Sequence, residues 1–297
     1  MRAAGVRLRV EPWQRGWPTL FMLPATAVVT LVTLFPFGYS LVLSFMQYNP
    51  VRPWYGTRFV GLRNYVQILT DPAVANSLVV TLFFVAAAVS VQFVLGFFIA
   101  VLFNQEIPGK RVFRTIILIP MILTPVVVGL IWKFMLNPGY GILELWTAAL
   151  RLGFPWHHSS RTALLTMIVV DVWQWTPFVF LICLAGLMSV PPELVEMARI
   201  DGAGGLRLLF GIVVPTIRQV LLIALILRIV DAVRVFDTIW ILTKGGPSRA
   251  TEVLSVLVFR EGFQFMNLGY AAALSIIFLI VVLGLALGFI RIARYEV

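Results

Sequence analysis

Charge is what this chain has least of. Only 12% of its 297 residues are Asp, Glu, Lys or Arg, against roughly 25% in a soluble globular protein. With a mean hydropathy of +0.97, that scarcity excludes a water-solvated surface. Cysteine occurs once, as Cys183 inside an apolar run, which excludes a disulfide framework and a cysteine-built zinc site. The only histidines, His157 and His158, are adjacent and follow Trp156. Neighbours along a chain do not make a metal-binding face, so a solvated or interfacial pair is expected. No phosphate-cradling loop is present either: Gly109-Lys110 has Asn104 where such a loop needs its first glycine. The formal net charge of +10 raises nucleic-acid binding, yet the 23 Lys and Arg residues are scattered, mostly at the ends of apolar blocks. A binding face needs a basic stripe interleaved with aromatics, and there is none.

What the chain does have is apolar length. Hydrophobic residues make up 60% of it, and a membrane-spanning helix needs about 20 of them in succession. Six blocks qualify: Leu20 to Met46, Ser77 to Phe103, Val112 to Leu136, Thr162 to Met188, Val220 to Leu242 and Leu268 to Ile290. The first follows Arg2, Arg7, Arg9 and Arg15 but is too long for the apolar core of a signal peptide, so it reads as a retained span. An even number of spans puts both termini on one side. That side also carries Lys110, Arg111, Arg114, Arg199, Arg207, Arg218, Arg291 and Arg294, twelve basic residues against eight opposite, which predicts cytoplasmic termini. The external connections are rich in Pro, Gly and aromatics. Pro24, Pro36, Pro120 and Pro125 predict bent helices in spans one and three. Gly284 and Gly288 predict close helix packing in the last span.

Charges inside spans are costly, roughly 2.5–3.5 kcal/mol or more at the bilayer centre, and so face a cavity or a partner. Asp171 falls in span four; Arg228, Asp231, Arg234 and Asp237 fall in span five with alternating sign at every third position. Neighbours at that spacing can pair along one side of a helix, so structural pairing is the alternative to a functional role.

The long internal connection, Ser189 to Gln219, contains Pro191-Pro192-Glu193-Leu194-Val195-Glu196-Met197-Ala198-Arg199-Ile200-Asp201-Gly202. Pro191 can open a helix, Glu193 and Glu196 suit its positive end, and Gly202 can stop it. Its apolar surface asks for a partner groove or for the lipid surface. This stretch resembles the EAA motif of importer permeases of the ATP-binding-cassette (ABC) class, in which Glu-Ala-Ala is followed by three residues, Gly, nine residues and Ile-x-Leu-Pro. Glu196, Ala198, Gly202, Ile212 and Pro215 stand at those spacings, and Asp201 belongs to the typical extension. Met197 and Val214 depart from the pattern but remain apolar. Asp171-Val172-Trp173 with Thr176-Pro177-Phe178, Phe236-Asp237-Thr238-Ile239-Trp240 with Thr243-Lys244-Gly245-Gly246-Pro247, and Gly269-Tyr270-Ala271-Ala272-Ala273 resemble carbohydrate permeases of the maltose and trehalose type.

The resemblance implies an all-α integral membrane protein with six transmembrane helices, the type I ABC importer permease fold, and a cytoplasmic coupling loop. It divides the chain into 1–76 (cytoplasmic segment, first span, external loop), 77–292 (permease core of five spans) and 293–297 (cytoplasmic tail). It implies a non-enzymatic permease subunit of a binding-protein-dependent disaccharide importer in a bacterial cell membrane, working by alternating access. The implied partners are a second homologous permease, two ATPase subunits that bind the ATP and Mg, and an extracytoplasmic sugar-binding protein. No cofactor is expected in this chain. ATPase coupling falls to Glu196, Ala198, Asp201, Gly202, Ile212 and Pro215. Sugar contacts fall to Asp171, Trp175, Phe178, Arg228, Asp231, Ala232 and Val235, with the two carboxylates facing a shared mid-membrane cavity. Two alternatives stand beside this: an importer for glycerol 3-phosphate or another polyol, for which Arg228 and Arg234 could meet the phosphate, and a proton-coupled secondary transporter using the buried carboxylates.

Overall fold

The computed structural model describes residues 12–52, 54, 56–149 and 159–295. The expectations for His157, His158 and the basic residues before Pro12 therefore lie outside the described residues.

Helix α1 (Pro12–Ser44) runs unbroken through Pro24 and Pro36, so the bends expected there do not interrupt the helix. It leads into a short antiparallel ladder of β1 (Met46–Gln47) and β2 (Arg58–Phe59), with Met46 opposite Phe59. Helix α2 (Arg63–Thr70) follows. The start of α3 (Pro72–Phe103) is well specified: the Asp71 side chain accepts the Ala73 N–H at 2.8 Å, and Pro72 occupies the first turn.

The third apolar block is two helices, α4 (Lys110–Ile122) and α5 (Pro125–Met135), bent by 98°. The break lies between the two prolines singled out in the sequence. A residue before proline is pushed out of the helical region, and Thr124 is extended at φ −66°, ψ 145°. After α6 (Ile142–Ala149), the long α7 (Ser160–Met188) carries Asp171 and Trp175.

Helix α8 (Pro192–Ile200) ends as the sequence predicts. Gly202 has φ +80°, the Ala203 N–H donates to the Ala198 carbonyl at 2.9 Å, and the Gly202 N–H donates to the Arg199 carbonyl at 3.1 Å. This pair of bonds with a left-handed glycine satisfies carbonyls that the helix end would otherwise orphan. Then α9 (Gly205–Leu208), a π-helical stretch (Leu209–Val213) and α10 (Val214–Thr216) rise toward α11 (Arg218–Val233), turning 73° at Ile217. The fifth block, predicted as one span to Leu242, breaks again after Val233 and resumes as α12 (Asp237–Leu242). Ser255 Oγ donates to the Val235 carbonyl freed by that break. Helices α13 (Leu254–Phe259) and α14 (Leu268–Tyr295) complete the chain.

Phe21–Ser44, Pro72–Phe103, Ser160–Met188 and Leu268–Gly288 are long and apolar enough to cross a membrane singly. Among the described residues, counting each bent pair as one span gives up to six, the expected number. The main core joins Phe84 and Val89 of α3, Val128 of α5, Met167 and Val170 of α7, and Val233 and Ile239 of the fifth span. Close approach occurs at Gly96, where a Cβ would stand 2.9 Å from the Phe180 backbone nitrogen, and at Gly129, where it would stand 2.9 Å from Ile241 Cβ. The packing expected at Gly284 and Gly288 is absent: nothing among the described residues lies within 4 Å of a Cβ at either. By contrast, Gly186 of α7 stands against Val220 of α11, where a Cβ would lie 3.0 Å from Val220 Cγ1.

Candidate functional site

Three helices meet around a buried guanidinium. Arg228 of α11 is 1% exposed, Asp171 of α7 is 4% exposed, and Gln92 of α3 is fully buried. A guanidinium in an apolar interior is tolerated only when its donors are matched. Arg228 Nη2 donates to Asp171 Oδ2 in a direct ion pair. Its Nε donates to Gln92 Oε1 at 2.7 Å, and its Nη1 donates to Asp231 Oδ2 at 3.0 Å. Gln92 Nε2 donates in turn to Asp171 Oδ2 at 2.7 Å and to the Asp171 carbonyl at 2.9 Å. The guanidinium carbon also lies 5.5 Å from the centre of the Trp175 ring, within cation–π range.

Asp231 is the member of this chain that opens outward. Its side chain is 44% exposed, and its second oxygen lies 3.9 Å from Nη2 of Arg234, itself 59% exposed. Beside it is a cavity of about 220 Å³ lined by Asp171, Trp175, Arg228, Asp231, Arg234 and Val235, with Phe236, Asp237, Thr238 and Pro125 from the two broken spans. Irregular backbone at membrane depth is tolerated where it lines a cavity or is buried in protein, and both breaks do so here. Gln174 Nε2 donates to the Leu123 carbonyl at 3.3 Å, tying α7 to the first break. A larger polar cavity of about 500 Å³ lies between residues 47–71 and 261–270 and shares no lining residue with this one. The smaller cavity holds the intramembrane charges and is the candidate site.

Of the seven residues expected to contact ligand, five line this cavity and two do not. Ala232 is fully buried in the main apolar core, because one residue along a helix turns its side chain roughly 100° away from that of Asp231. Phe178 is half-buried in a second apolar cluster and meets Trp175 edge-on at 6.4 Å, without lining the cavity. Gln92, Pro125 and Phe236 were not anticipated as site residues. Gln92 was detectable as a strongly polar residue in an otherwise apolar stretch of α3; the other two owe their place to the helix breaks.

The residues expected to couple to an ATPase lie beyond the C-terminal end of α7, between α8 and α10. Glu196 and Asp201 are exposed, Ala198 is buried, Ile212 is half-buried in the π-helical stretch, and Pro215 is exposed in α10. Met197 at 58% and Ile200 at 85% exposure leave apolar surface on α8 without cover in this chain.

A discontinuous-helix bundle around a charged cavity, with a capped helix between the fourth and fifth apolar blocks, is the architecture of a membrane permease. Residues 92–294 match the family described as "Binding-protein-dependent transport system inner membrane component", and the chain belongs to that family, whose members are inner membrane components of transport systems. It is 38% identical over 90% of its length to a probable ABC transporter permease protein of Sinorhizobium fredii, covering 86% of that protein. It is 34% identical to the trehalose/maltose transport system permease protein MalF of Thermococcus litoralis, with 93% of each chain covered. It is also 34% identical to the sn-glycerol-3-phosphate transport system permease protein UgpA of Yersinia pestis, with 90% of each covered. Among solved structures, a chain of a bacterial ABC transporter that imports the acidic polysaccharide alginate superposes with a TM-score of 0.81 at 22% identity, covering 95% of this chain and 96% of that one. That likeness establishes the fold, the ABC importer permease fold expected from the sequence.

Proposed function

We propose that this chain is a permease subunit of an ATP-driven, binding-protein-dependent importer of a neutral disaccharide of the trehalose or maltose kind. The observation that carries the choice of ligand is the neutralisation of Arg228: its guanidinium is engaged by Asp171, Asp231 and Gln92. A phosphate entering the cavity would meet three carboxylates, and the one further guanidinium there, that of Arg234, already faces Asp231 at 3.9 Å and donates to the Val230 carbonyl at 3.3 Å. A polyhydroxyl ligand fits better. Its hydroxyls can donate to the half-exposed Asp231 and the exposed Asp237 carboxylates in charge-assisted bonds, and the Trp175 ring offers an apolar face to a pyranose.

The chain carries no chemistry of its own in this reading. Two partner ATPases bind ATP and Mg and receive α8 through Glu196, Ala198, Asp201, Gly202, Ile212 and Pro215. A second permease completes the path, an extracytoplasmic binding protein delivers the sugar, and both termini are cytoplasmic. The uncovered apolar residues Met197 and Ile200 support a protein groove as the seat of α8. The exposed Arg234 and the likeness to the glycerol 3-phosphate permease favour a second reading, a phosphorylated polyol.

Both readings are tested by assembling the chain with its partners in proteoliposomes and measuring ATP-dependent uptake of labelled trehalose, maltose and glycerol 3-phosphate. Disaccharide uptake supports the first reading. Uptake of glycerol 3-phosphate alone replaces it with the second.

A further inference from the structure

Gln92 is the hub residue that no motif assigns. It is fully buried in α3, and both ends of its carboxamide are engaged on different helices: Nε2 with Asp171 of α7, Oε1 with Arg228 of α11. The reverse orientation of the amide would set its oxygen against a carboxylate and its NH2 against a guanidinium, so the two neighbours fix its direction. One turn further along α3, Gly96 brings that helix against the backbone of α7 at Phe180, which sets the separation that the glutamine spans. The chain of contacts then runs outward: Gln92 and Asp171 hold Arg228, and Arg228 Nη1 holds Asp231 Oδ2. Gln92 lines neither the cavity wall nor its mouth.

We propose that Gln92 is a positioning residue for ligand recognition: by clamping Asp171 and Arg228 together without adding charge, it orients the Asp231 carboxylate and the Arg228–Trp175 pair toward the cavity. A glutamine suits this task where a charged residue does not. A glutamate would oppose Asp171, and a lysine would oppose Arg228, while an apolar residue would leave the Arg228 Nε–H without its acceptor and take from Asp171 Oδ2 one of its two donors. The inference rests on the reading of the cavity as the sugar site.

The test uses the full complex in proteoliposomes, with labelled trehalose and maltose as probes and uptake normalised to assembled complex. Gln92→Leu should raise KM at least tenfold while Vmax per complex stays within about twofold. Gln92→Glu supplies the discriminating readout, being isosteric. The charged groups facing position 92 are Asp171 from α7 and Arg228 from α11, with Asp231 behind it. A protonated glutamate can donate to Asp171 and accept from Arg228 as the glutamine does, whereas an ionised one repels Asp171. The ratio of its KM to that of the unsubstituted complex should therefore fall toward one as pH is lowered and rise as pH is raised. A purely structural role would lower the yield of complex without this pH-dependent ratio. Asp231→Asn, measured alongside, separates the two levels of argument. A raised KM in Asp231→Asn with unchanged KM in both Gln92 variants overturns the positioning role alone. Unchanged KM in all three, or uptake of neither sugar by the unsubstituted complex, overturns the sugar-site reading and the inference with it.

Discussion

Thr238 Oγ1 donates to the Pro125 carbonyl oxygen across 3.4 Å, so the restart of the fifth span is bonded to the restart of the third. Each residue stands just inside a helix that begins after a break, and both line the same cavity. Behind them, α5 and α12 touch at Gly129 and Ile241. The two broken spans are therefore packed against each other beside the charged cluster.

Asp171 and Asp231 should behave differently when truncated, although both line the cavity. Asp171 is buried against Arg228, and Asp171→Ala leaves a buried guanidinium without its main counter-charge, a loss of about 3–5 kcal/mol. Asp231 is nearly half-exposed, so Asp231→Ala should keep assembly close to normal while lowering uptake. Thermal unfolding of the detergent-purified complex and uptake per complex, measured together, check both halves. Equal thermal midpoints for the two variants would contradict the burial argument.

Gly96→Ala and Gly129→Ala should each lower the thermal midpoint. In both, the new methyl stands 2.9 Å from a heavy atom of the facing helix, and overpacking of this kind costs about 1–3 kcal/mol. Gly284→Ala meets nothing within 4 Å and replaces a poor helix former by a good one, worth about 0.5–1 kcal/mol in the opposite direction. Melting curves of the three variants should fall on opposite sides of the parent.

At Gly202 the constraint is the backbone, since a Cβ there meets open space but φ is +80°. Gly202→Val should abolish uptake and weaken co-purification of the ATPase, whereas Gly202→Asn should keep a measurable part of both, because Asn tolerates the left-handed region better than a β-branched residue. Pull-down of the ATPase by the permease pair reads this directly. Glu196→Lys, exposed and remote from the cap bonds, should impair coupling without unfolding α8.

The loop after α12 is closed by Glu252, fully buried, whose carboxylate pairs with Arg260 while Arg249 stands 3.8 Å away. Arg260 also donates to the Lys244 carbonyl at 2.8 Å. Glu252→Gln should raise amide hydrogen exchange across residues 243–253 with little change in α3 or α7. Because the pair is shielded from solvent, raising the ionic strength should not reproduce the effect.

Hydropathy and local chemistry determined a good deal of this protein. The six apolar blocks, the break around Pro120 and Pro125, and the Gly202 cap all follow from interactions within a few residues, so they could be read from the chain, although the helix expected from Ser77 begins at Pro72. Asp171, Arg228 and Asp231 were also legible, because charges in apolar blocks are too costly to be incidental. Tertiary structure alone decided which of these charges neutralise one another. Gln92, Asp171 and Arg228 come together from α3, α7 and α11 across sequence separations of 79 and 136 residues, and no local pattern encodes such a meeting. The same holds for the second break in the fifth span, whose freed Val235 carbonyl is taken by Ser255, and for the burial of Ala232 beside the half-exposed Asp231. Periodicity shows that a helix has faces; only the packing of other helices against it settles which face meets lipid, core or cavity.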